Sequence, residues 1–404
     1  MKKTIALVGT LDTKESVYSF IKDIIETRGS NTLLIDAGVM KEPTIAVDIP
    51  RAAVAQAGGV DIRELVAQAD RGHAIEIMGR GVAALLARLY SEGRLDGVIA
   101  FGGGGGTSIA TRGMRALPLG VPKVMVSTMA GRDVSGFVGL KDIVMIPSIV
   151  DITGINRITR EIFTRAAGAI CGMVETNVVI GQDKPLIAAT MFGNTTTAVE
   201  TARSILETKG LEVVVFPCSG TSGKTMESLI ESGYFTAILD ITTTEWADEL
   251  VGGVLSAGPD RMNAAAETGT PQVVVPGCLD MVNFWAPETV PERFKNRLFY
   301  RHNPNITLMR TDVEECRKLG VIIAEKLNRS KGPVMVFLPL EGLSMLDSPG
   351  GPFWWPDADS ALFTSIKSSL RNDIPVVEMG YNINDPEFAV GCAEALLKMI
   401  PGVS

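Results

Sequence analysis

The chain has 404 residues, 46% of them hydrophobic and 21% charged, with a formal net charge of −8. That length makes two domains of about 200 residues each the natural division, and the acidic balance, with no Lys/Arg cluster, excludes a nucleic-acid binder. Five scattered cysteines (Cys171, Cys218, Cys278, Cys316 and Cys392) with no CxxC pair exclude a disulfide framework or zinc ribbon and point to a reducing, cytoplasmic setting.

The opening MKKTIALVGTLDTKE begins basic and apolar like a signal peptide, but the apolar run ends at Thr10 and Asp12, too soon for an h-region. It reads as a first strand. No apolar run approaches the roughly 18–20 residues of a membrane span, so no membrane partner is expected. Short Val- and Ile-rich runs follow at 33–35, 98–101, 124–126 and 143–146, each bounded by Gly, Asp, Ser or Pro. Such continuous apolar runs suit strands buried on both faces of a parallel sheet. Amphipathic stretches at 16–27, 82–91 and 155–175 alternate with them as helices, which predicts a doubly wound α/β domain.

A polar break at 182–184 precedes a second start. PLIAATMFGNTTTAVETARSILETKGLEVVVF echoes KTIALVGTLDTKESVYSFIKDIIETRGSNTLLID: strand, turn, helix, E-T-[RK]-G, strand. The glycine of that marker, Gly29 or Gly210, stands where a helix must end and the chain reverse. Strands at 237–241, 273–275, 334–338 and 376–378 alternate with helices at 313–327 and 386–399. The expected architecture is therefore two Rossmann-like doubly wound α/β domains with mainly parallel sheets, residues 1–182 and 183–404.

Candidate binding residues gather at strand ends. Gly102, Gly103, Gly104, Gly105 and Gly106, followed by Thr107 and Ser108, come directly after the third strand. Five consecutive glycines are entropically costly, and a glycine turn entering a helix exposes backbone N–H groups suited to phosphate. Thr107 and Ser108 are good N-caps. The first turn, Gly9, Thr10, Leu11, Asp12, Thr13 and Lys14, lies at the same sheet edge, with Asp12 either an N-cap or a ligand-facing carboxylate. Asp36, ending the second strand, resembles the acidic residue that holds a ribose. Arg80, in a Met78–Gly81 stretch read as opening a helix, is a further phosphate candidate. Met129 and Asp133 follow the fourth strand, Asp133 being a candidate Mg²⁺ ligand.

In the second half, the segment from Cys218 to Thr225 ends in GKT but lacks the first glycine of a P-loop, leaving Lys224 as a possible phosphate lysine. Glu245 and Glu249 share one helix face. His302, in a polar segment read as a loop, is the plausible acid–base imidazole. The apolar Trp-rich stretch at 349–356, with Trp354 and Trp355, is either an interface anchor or a lid folded over its own domain.

Taken in order, GTLDTK, MGRG, FGGGGGTS, VDITGINRI, TMFGNTT, TTTEWADELVGG, GCLDMVNF, APETVP, FYRHNPN, FLPLEG and GGPFWWP resemble the tomato mosaic virus resistance protein family across the whole chain. The plant member of that family carries an ATP-binding N-terminal region that inhibits viral replication, and its bacterial relatives are mostly uncharacterised. The resemblance implies ATP with Mg²⁺ in the first domain and a homodimer, not antiviral activity. Two segments depart from the family pattern: Gly131-Arg132 stands where Ser-Gly is usual before Asp133, and Pro217-Cys218 replaces a histidine. Two functions are then open. One is an ATP-dependent enzyme acting on a small substrate between the domains, with Lys224, Glu245 and His302 as catalytic candidates. The other is a nucleotide-gated module that acts by contacting another macromolecule.

Overall fold

A computed structural model describes residues 2–177, 181 and 183–402, and the chain divides into two compact units, Met1–Ile180 and Gly181–Ser404. Gln182, where the sequence places its boundary, lies outside the described residues.

The first unit runs β1 (Thr4–Gly9), α1 (Leu11–Thr27), β2 (Asn31–Asp36), α2 (Arg51–Ala57), α3 (Ile62–Gln68), α4 (Arg71–Ser91), β3 (Gly97–Gly102), α5 (Gly104–Arg115), β4 (Lys123–Ser127), α6 (Ser135–Val138), β5 (Val144–Pro147) and α7 (Arg157–Glu175). Its sheet has the order β2-β1-β3-β4-β5, and every pairing is parallel. Alternation along β1 sets the layers, because successive side chains point to opposite faces. Ile5 and Leu7 join Tyr18 and Ile21 of α1 and Phe163 and Ile170 of α7 in one core. Ala6 and Val8 join Val54, Met78, Leu85 and Ile109, from α2, α4 and α5, in another. A sheet covered on both faces needs apolar residues at every position, which is why these strands read as unbroken apolar runs.

The second unit runs β6 (Leu186–Met191), α8 (Thr196–Thr208), β7 (Glu212–Pro217), α9 (Thr221–Glu231), β8 (Ala237–Thr242), α10 (Glu245–Val251), α11 (Asn263–Thr268), β9 (Gln272–Gly277), β10 (Met281–Phe284), β11 (Phe299–Asn303), β12 (Ile306–Arg310), α12 (Val313–Leu327), β13 (Val334–Pro339), α13 (Pro356–Ser369), β14 (Val376–Met379) and α14 (Pro386–Met399). Its main sheet, β14-β13-β9-β8-β6-β7, is parallel throughout. The first strand again sits between the second and third, and the echo between the halves has a shared backbone basis. Gly29 after α1 and Gly210 after α8 adopt φ of +97° and +80°, where a side chain is strained.

Residues 281–310 form a separate antiparallel sheet, β10-β12-β11, that the sequence reading does not contain. β11 and β12 are only five residues each, and β11 is nowhere buried. Its polarity therefore hides the alternation that marks a strand. His302 is consequently a strand residue, not a loop residue.

Candidate functional site

In a sheet ordered β2-β1-β3, the connections leaving β1 and β3 depart to opposite faces, and the turns part to leave a crevice at the strands' carboxyl ends. Pairing of β1 with β3 stops at Val8 and Ala100. Just beyond, the buried Tyr18 hydroxyl donates to Val8 O (2.5 Å) or Phe101 O (3.1 Å) and accepts from Phe101 N (2.9 Å). Burial raises its pKa, so it stays a neutral phenol able to donate. Gly9 is glycine because a Cβ there would enter the Tyr18 ring. One side chain thus stitches the two strands at the point where they diverge.

Above this stitch lies a cleft of about 760 Å³. Thr10, Asp12, Thr13 and Lys14 enter it from the start of α1, Gly103, Gly104, Gly105 and Gly106 from the start of α5, and Asp70 and Arg71 from the start of α4. Its wall is apolar, built from Ala37, Val39, Met40, Leu65, Val66, Ala69, Ala74, Ile75, Met78 and Ile109.

The glycines are not a loop before the helix. Gly103 is the extended N-cap, and Gly104–Gly106 are the first turn of α5, whose Thr107 N already bonds Gly103 O (2.8 Å). Helix N–H groups ahead of that bond lack intrahelical acceptors and point toward the cleft end of the dipole. Steric need is unequal along the run. A Cβ on Gly102 would lie 3.0 Å from Gly106 Cα, and one on Gly105 would lie 3.1 Å from Ile75 Cδ1, whereas one on Gly104 meets nothing within 4 Å. At Gly104 the space is the cleft's.

Of the residues named from sequence, Thr10, Asp12, Thr13, Lys14, Gly103, Gly104, Gly105 and Gly106 line the cleft. Others lie outside its lining. Gly9 and Gly102 end the two strands beneath it. Thr107 is buried, its hydroxyl bonded to Ser127 Oγ at 2.7 Å, tying α5 to β4. Met129 closes a turn, its N–H donating to Ser127 Oγ (2.9 Å). Asp133 is exposed and accepts Ser135 N (2.9 Å), a hydrogen bond that lowers its pKa.

Arg80 falls mid-way along α4, exposed, because α4 opens at Arg71 with Asp70 as its cap (His73 N to Asp70 Oδ1, 3.0 Å). The Gly79 and Gly81 beside Arg80 serve packing: a Cβ on Gly81 would overlap Val54 O of α2, and one on Gly79 would lie 3.0 Å from Arg112 Cδ of α5. Asp36 is fully buried, with Oδ1 accepting Leu11 N (3.2 Å) and Gly38 N (2.9 Å). Burial raises its pKa against those two bonds, with the Asp12 charge adding to the rise.

The sequence reading missed Arg71 and Asp70, and Tyr18. An Arg71 guanidinium nitrogen lies 3.8 Å from where a Gly105 Cβ would be, the only arginine in the cleft lining among the described residues. A signal was present: Asp70-Arg71-Gly72-His73 is an N-cap followed by a helix start.

The second-unit candidates have other surroundings. Gly220 N donates to Glu245 Oε1 (2.8 Å), and a Cβ on Gly223 would overlap the same carboxylate. Glu245 therefore fills the N-terminal turn of α9 as an internal anion. It also pairs with buried Arg261 (2.9 Å), which is shared with Asp240 (2.7 Å) and Glu227 (3.3 Å). Burial pushes Glu245 and Glu227 up, opposed by Arg261. Lys224 and His302 are exposed. No group of three or more His, Cys, Asp or Glu placed to hold a metal occurs among the described residues, and no described helix is long and apolar enough to cross a membrane.

Fold and cleft define a two-unit α/β protein of Rossmann-like type with an open cleft at the switch point of its first sheet. The chain belongs to the uncharacterised protein family UPF0261, whose N-terminal domain model matches residues 3–178 and whose C-terminal domain model matches residues 184–400. It is 50% identical over 402 residues to a family member from Clostridium tetani, covering 99% of this chain and 100% of that one. A member from Rhizobium meliloti is 45% identical, covering 97% and 98%. The ToMV resistance protein Tm-1(GCR237) of Solanum lycopersicum is 39% identical over 339 residues, 82% of this chain and 45% of the tomato protein. Solved structures superpose loosely, as with MurG of Acinetobacter baumannii at 12% identity and a TM-score of 0.23 over 99% of this chain and 100% of that one, too distant to bear on chemistry.

Proposed function

We propose that the first unit binds ATP, or a closely similar nucleoside triphosphate, together with Mg²⁺. The observation that carries this reading is the convergence in one cleft of the glycine turn of α5, the Thr10–Lys14 turn and Arg71 with a broad apolar wall. Backbone N–H groups at helix N-termini and two cationic side chains suit phosphates, and an apolar wall suits a base. Mg²⁺ usually keeps several waters and takes one or two carboxylates plus substrate phosphates. The absence of a three-ligand cluster among the described residues is compatible with an ion held chiefly by the nucleotide, and exposed Asp133, outside the cleft lining, is poorly placed for it. Calorimetric titration with ATP at fixed Mg²⁺ tests the reading. Saturable one-to-one binding is expected, and no binding at millimolar ATP refutes it.

The output of binding is proposed to be contact with another macromolecule rather than chemistry on a small substrate. Among the described residues, the polar side chains of the cleft lining are Thr10, Asp12, Thr13, Lys14, Asp70 and Arg71. Asp70 caps α4 and one oxygen of Asp12 holds the segment after β2, so the groups at hand are engaged in shaping and charging the cleft, which favours a binding role. Slow nucleotide turnover that no metabolite extract accelerates supports this reading, and acceleration by such an extract returns the chain to the ATP-dependent enzymes. A cytoplasmic homodimer is the proposed assembly. Phe353 is buried in its own unit, but Leu340, Met345, Trp355 and Tyr381 are large, exposed apolar residues of the second unit of the kind that mark contacts when they gather. A light-scattering mass near the 43.0 kDa of one chain would rule the dimer out.

A further inference from the structure

Of the two carboxylates in the cleft lining among the described residues, Asp12 and Asp70, Asp12 is the buried one. It is only 7% exposed. Its Oδ2 accepts Val39 N (3.0 Å) and Met40 N (2.9 Å) from the segment after β2, and Gly38 is glycine there because a Cβ would lie 2.7 Å from Asp12 Cγ. Its Oδ1 is buried with no hydrogen-bond donor from any described residue. A buried acceptor without a donor is costly, and because Asp12 is part of the cleft lining, a ligand in the cleft is a source of the donor that Oδ1 lacks.

Sheet order says which part of a nucleotide that is. Across the cleft the turns stand in the order of their strands: the segment after β2, the turn after β1, the glycine turn after β3. The glycine turn and Arg71 make the anion end. Asp12 sits on the opposite flank of the β1 turn, bonded to the β2 segment and next to Val39 and Met40 of the apolar wall. A carboxylate between the phosphate end and the base wall faces sugar hydroxyls, the position that Rossmann-type sites give to an acidic residue at the end of the second strand. Asp36 occupies that strand end and its Oδ2 also lacks a partner among the described residues, but Asp36 is fully buried, its Oδ1 is held by Leu11 and Gly38, and it is absent from the cleft lining, whereas Asp12 is part of that lining.

We infer that Asp12 accepts a hydrogen bond from a ribose hydroxyl of the bound nucleotide, making the site selective for ribonucleotides over deoxyribonucleotides. The inference rests on the nucleotide reading of the cleft.

Calorimetry on the unaltered protein with ATP, 2′-deoxyATP and 3′-deoxyATP tests it. Loss of a hydrogen bond to a charged acceptor predicts that at least one deoxy analogue binds about tenfold more weakly. Analogues that both bind within about threefold of ATP overturn the inference while leaving the nucleotide reading standing, and a weakening beyond that supports it. No binding of any of the three nucleotides removes the nucleotide reading and the inference with it. Asp12→Asn, checked for folding by its melting curve, should erase the discrimination between ATP and the analogues. If it instead preserves that discrimination and abolishes the Mg²⁺ dependence of ATP binding, Asp12 is a metal-facing residue and the assignment to the sugar is wrong. The analogue series needs no variant, so a misfolded Asp12→Asn protein takes nothing from it.

Discussion

The switch point of the first sheet and that of the second are built on the same strand order, yet the turns above them end differently. Above β1 and β3, three helix starts and an apolar wall surround open space, and the strand ends are stitched by a single phenol, Tyr18. Above β6 and β8, the chain satisfies itself: Thr195 Oγ1 meets Thr242 Oγ1 at 2.7 Å, Thr190 Oγ1 donates to Asp240 Oδ1 at 2.7 Å, and Asp240 pairs with Arg261. The neighbouring glycine turn into α9 is likewise taken by Glu245. A helix start attracts an anion in both places. In one the anion is covalently part of the protein, and in the other the position faces the cleft.

The largest expected effect lies in the self-satisfied unit. Arg261 is the cation shared by Asp240, Glu245 and Glu227, all buried. Arg261→Met leaves those carboxylates uncompensated, and breaking a buried pair costs about 3–5 kcal/mol. Urea unfolding should show a loss of that order. A loss under about 1 kcal/mol, the scale of an exposed pair, would mean that the cluster does not hold the turn closed.

The closed unit should also be the alkali-sensitive one. Burial raises Asp248 to about 7 and Asp280 to about 8, and burial together with the Asp347 charge raises Asp359 to about 7. Unfolded aspartates titrate near 3.9, so between about pH 4 and pH 8 the folded state holds more protons than the unfolded one. Stability contributed by these groups is therefore full below pH 4, falls as pH rises through the window and levels off above pH 8. Melting temperatures measured from pH 5 to pH 8 in one buffer series should decline. A rise or a flat profile over that interval would show that these aspartates do not hold their protons in the folded state, because a carboxylate with a lowered pKa, such as Asp142, is ionised in both states above about pH 5 and adds no slope there.

In the open unit the sensitive quantity is affinity, not stability. Gly104→Val places a branched side chain where a Cβ meets nothing within 4 Å, so the fold should tolerate it while the cleft end of α5 becomes obstructed. Loss of even one hydrogen bond to a charged phosphate weakens ATP binding by about tenfold or more. Unchanged calorimetric affinity would move the phosphates away from the glycine turn.

Much of this contrast was legible in the sequence and part was not, for physical reasons. Apolar runs and helix-ending glycines are local, so both parallel sheets and the repeat of strand, turn and helix could be read directly from residues such as Gly29 and Gly210. The glycine turn and Thr10–Lys14 were legible as a pair because both follow strands. Whether a polar residue faces a ligand or its own backbone is a tertiary matter. Asp36 turned inward to Leu11 and Gly38, Thr107 turned to Ser127, and Arg80 lay mid-helix because the true start was Asp70-Arg71. The β10–β12 sheet escaped because its strands are only four or five residues long and the unburied β11 carries no apolar alternation.

The smallest expected effect is the sharpest test of the contrast. Lys224 stands in a turn whose sequence, TSGKT, invites comparison with phosphate-binding loops, and it is exposed at the start of α9. Were that turn an anion site, removing its lysine would cost an external phosphate a charged partner and weaken nucleotide binding severalfold. But the turn's acceptor position is held by Glu245, whose carboxylate receives Gly220 N and packs against Gly223. A second anion brought there would face that carboxylate at close range, and the compensating Arg261 is already shared among three acidic residues. Lys224→Ala should therefore behave as an ordinary surface change, within about 0.5 kcal/mol in stability and about twofold in ATP affinity. Calorimetry beside Gly104→Val makes the comparison direct. A tenfold loss in Lys224→Ala would show that the second turn shares the nucleotide, and the division into an open turn and a self-filled one would have to be given up.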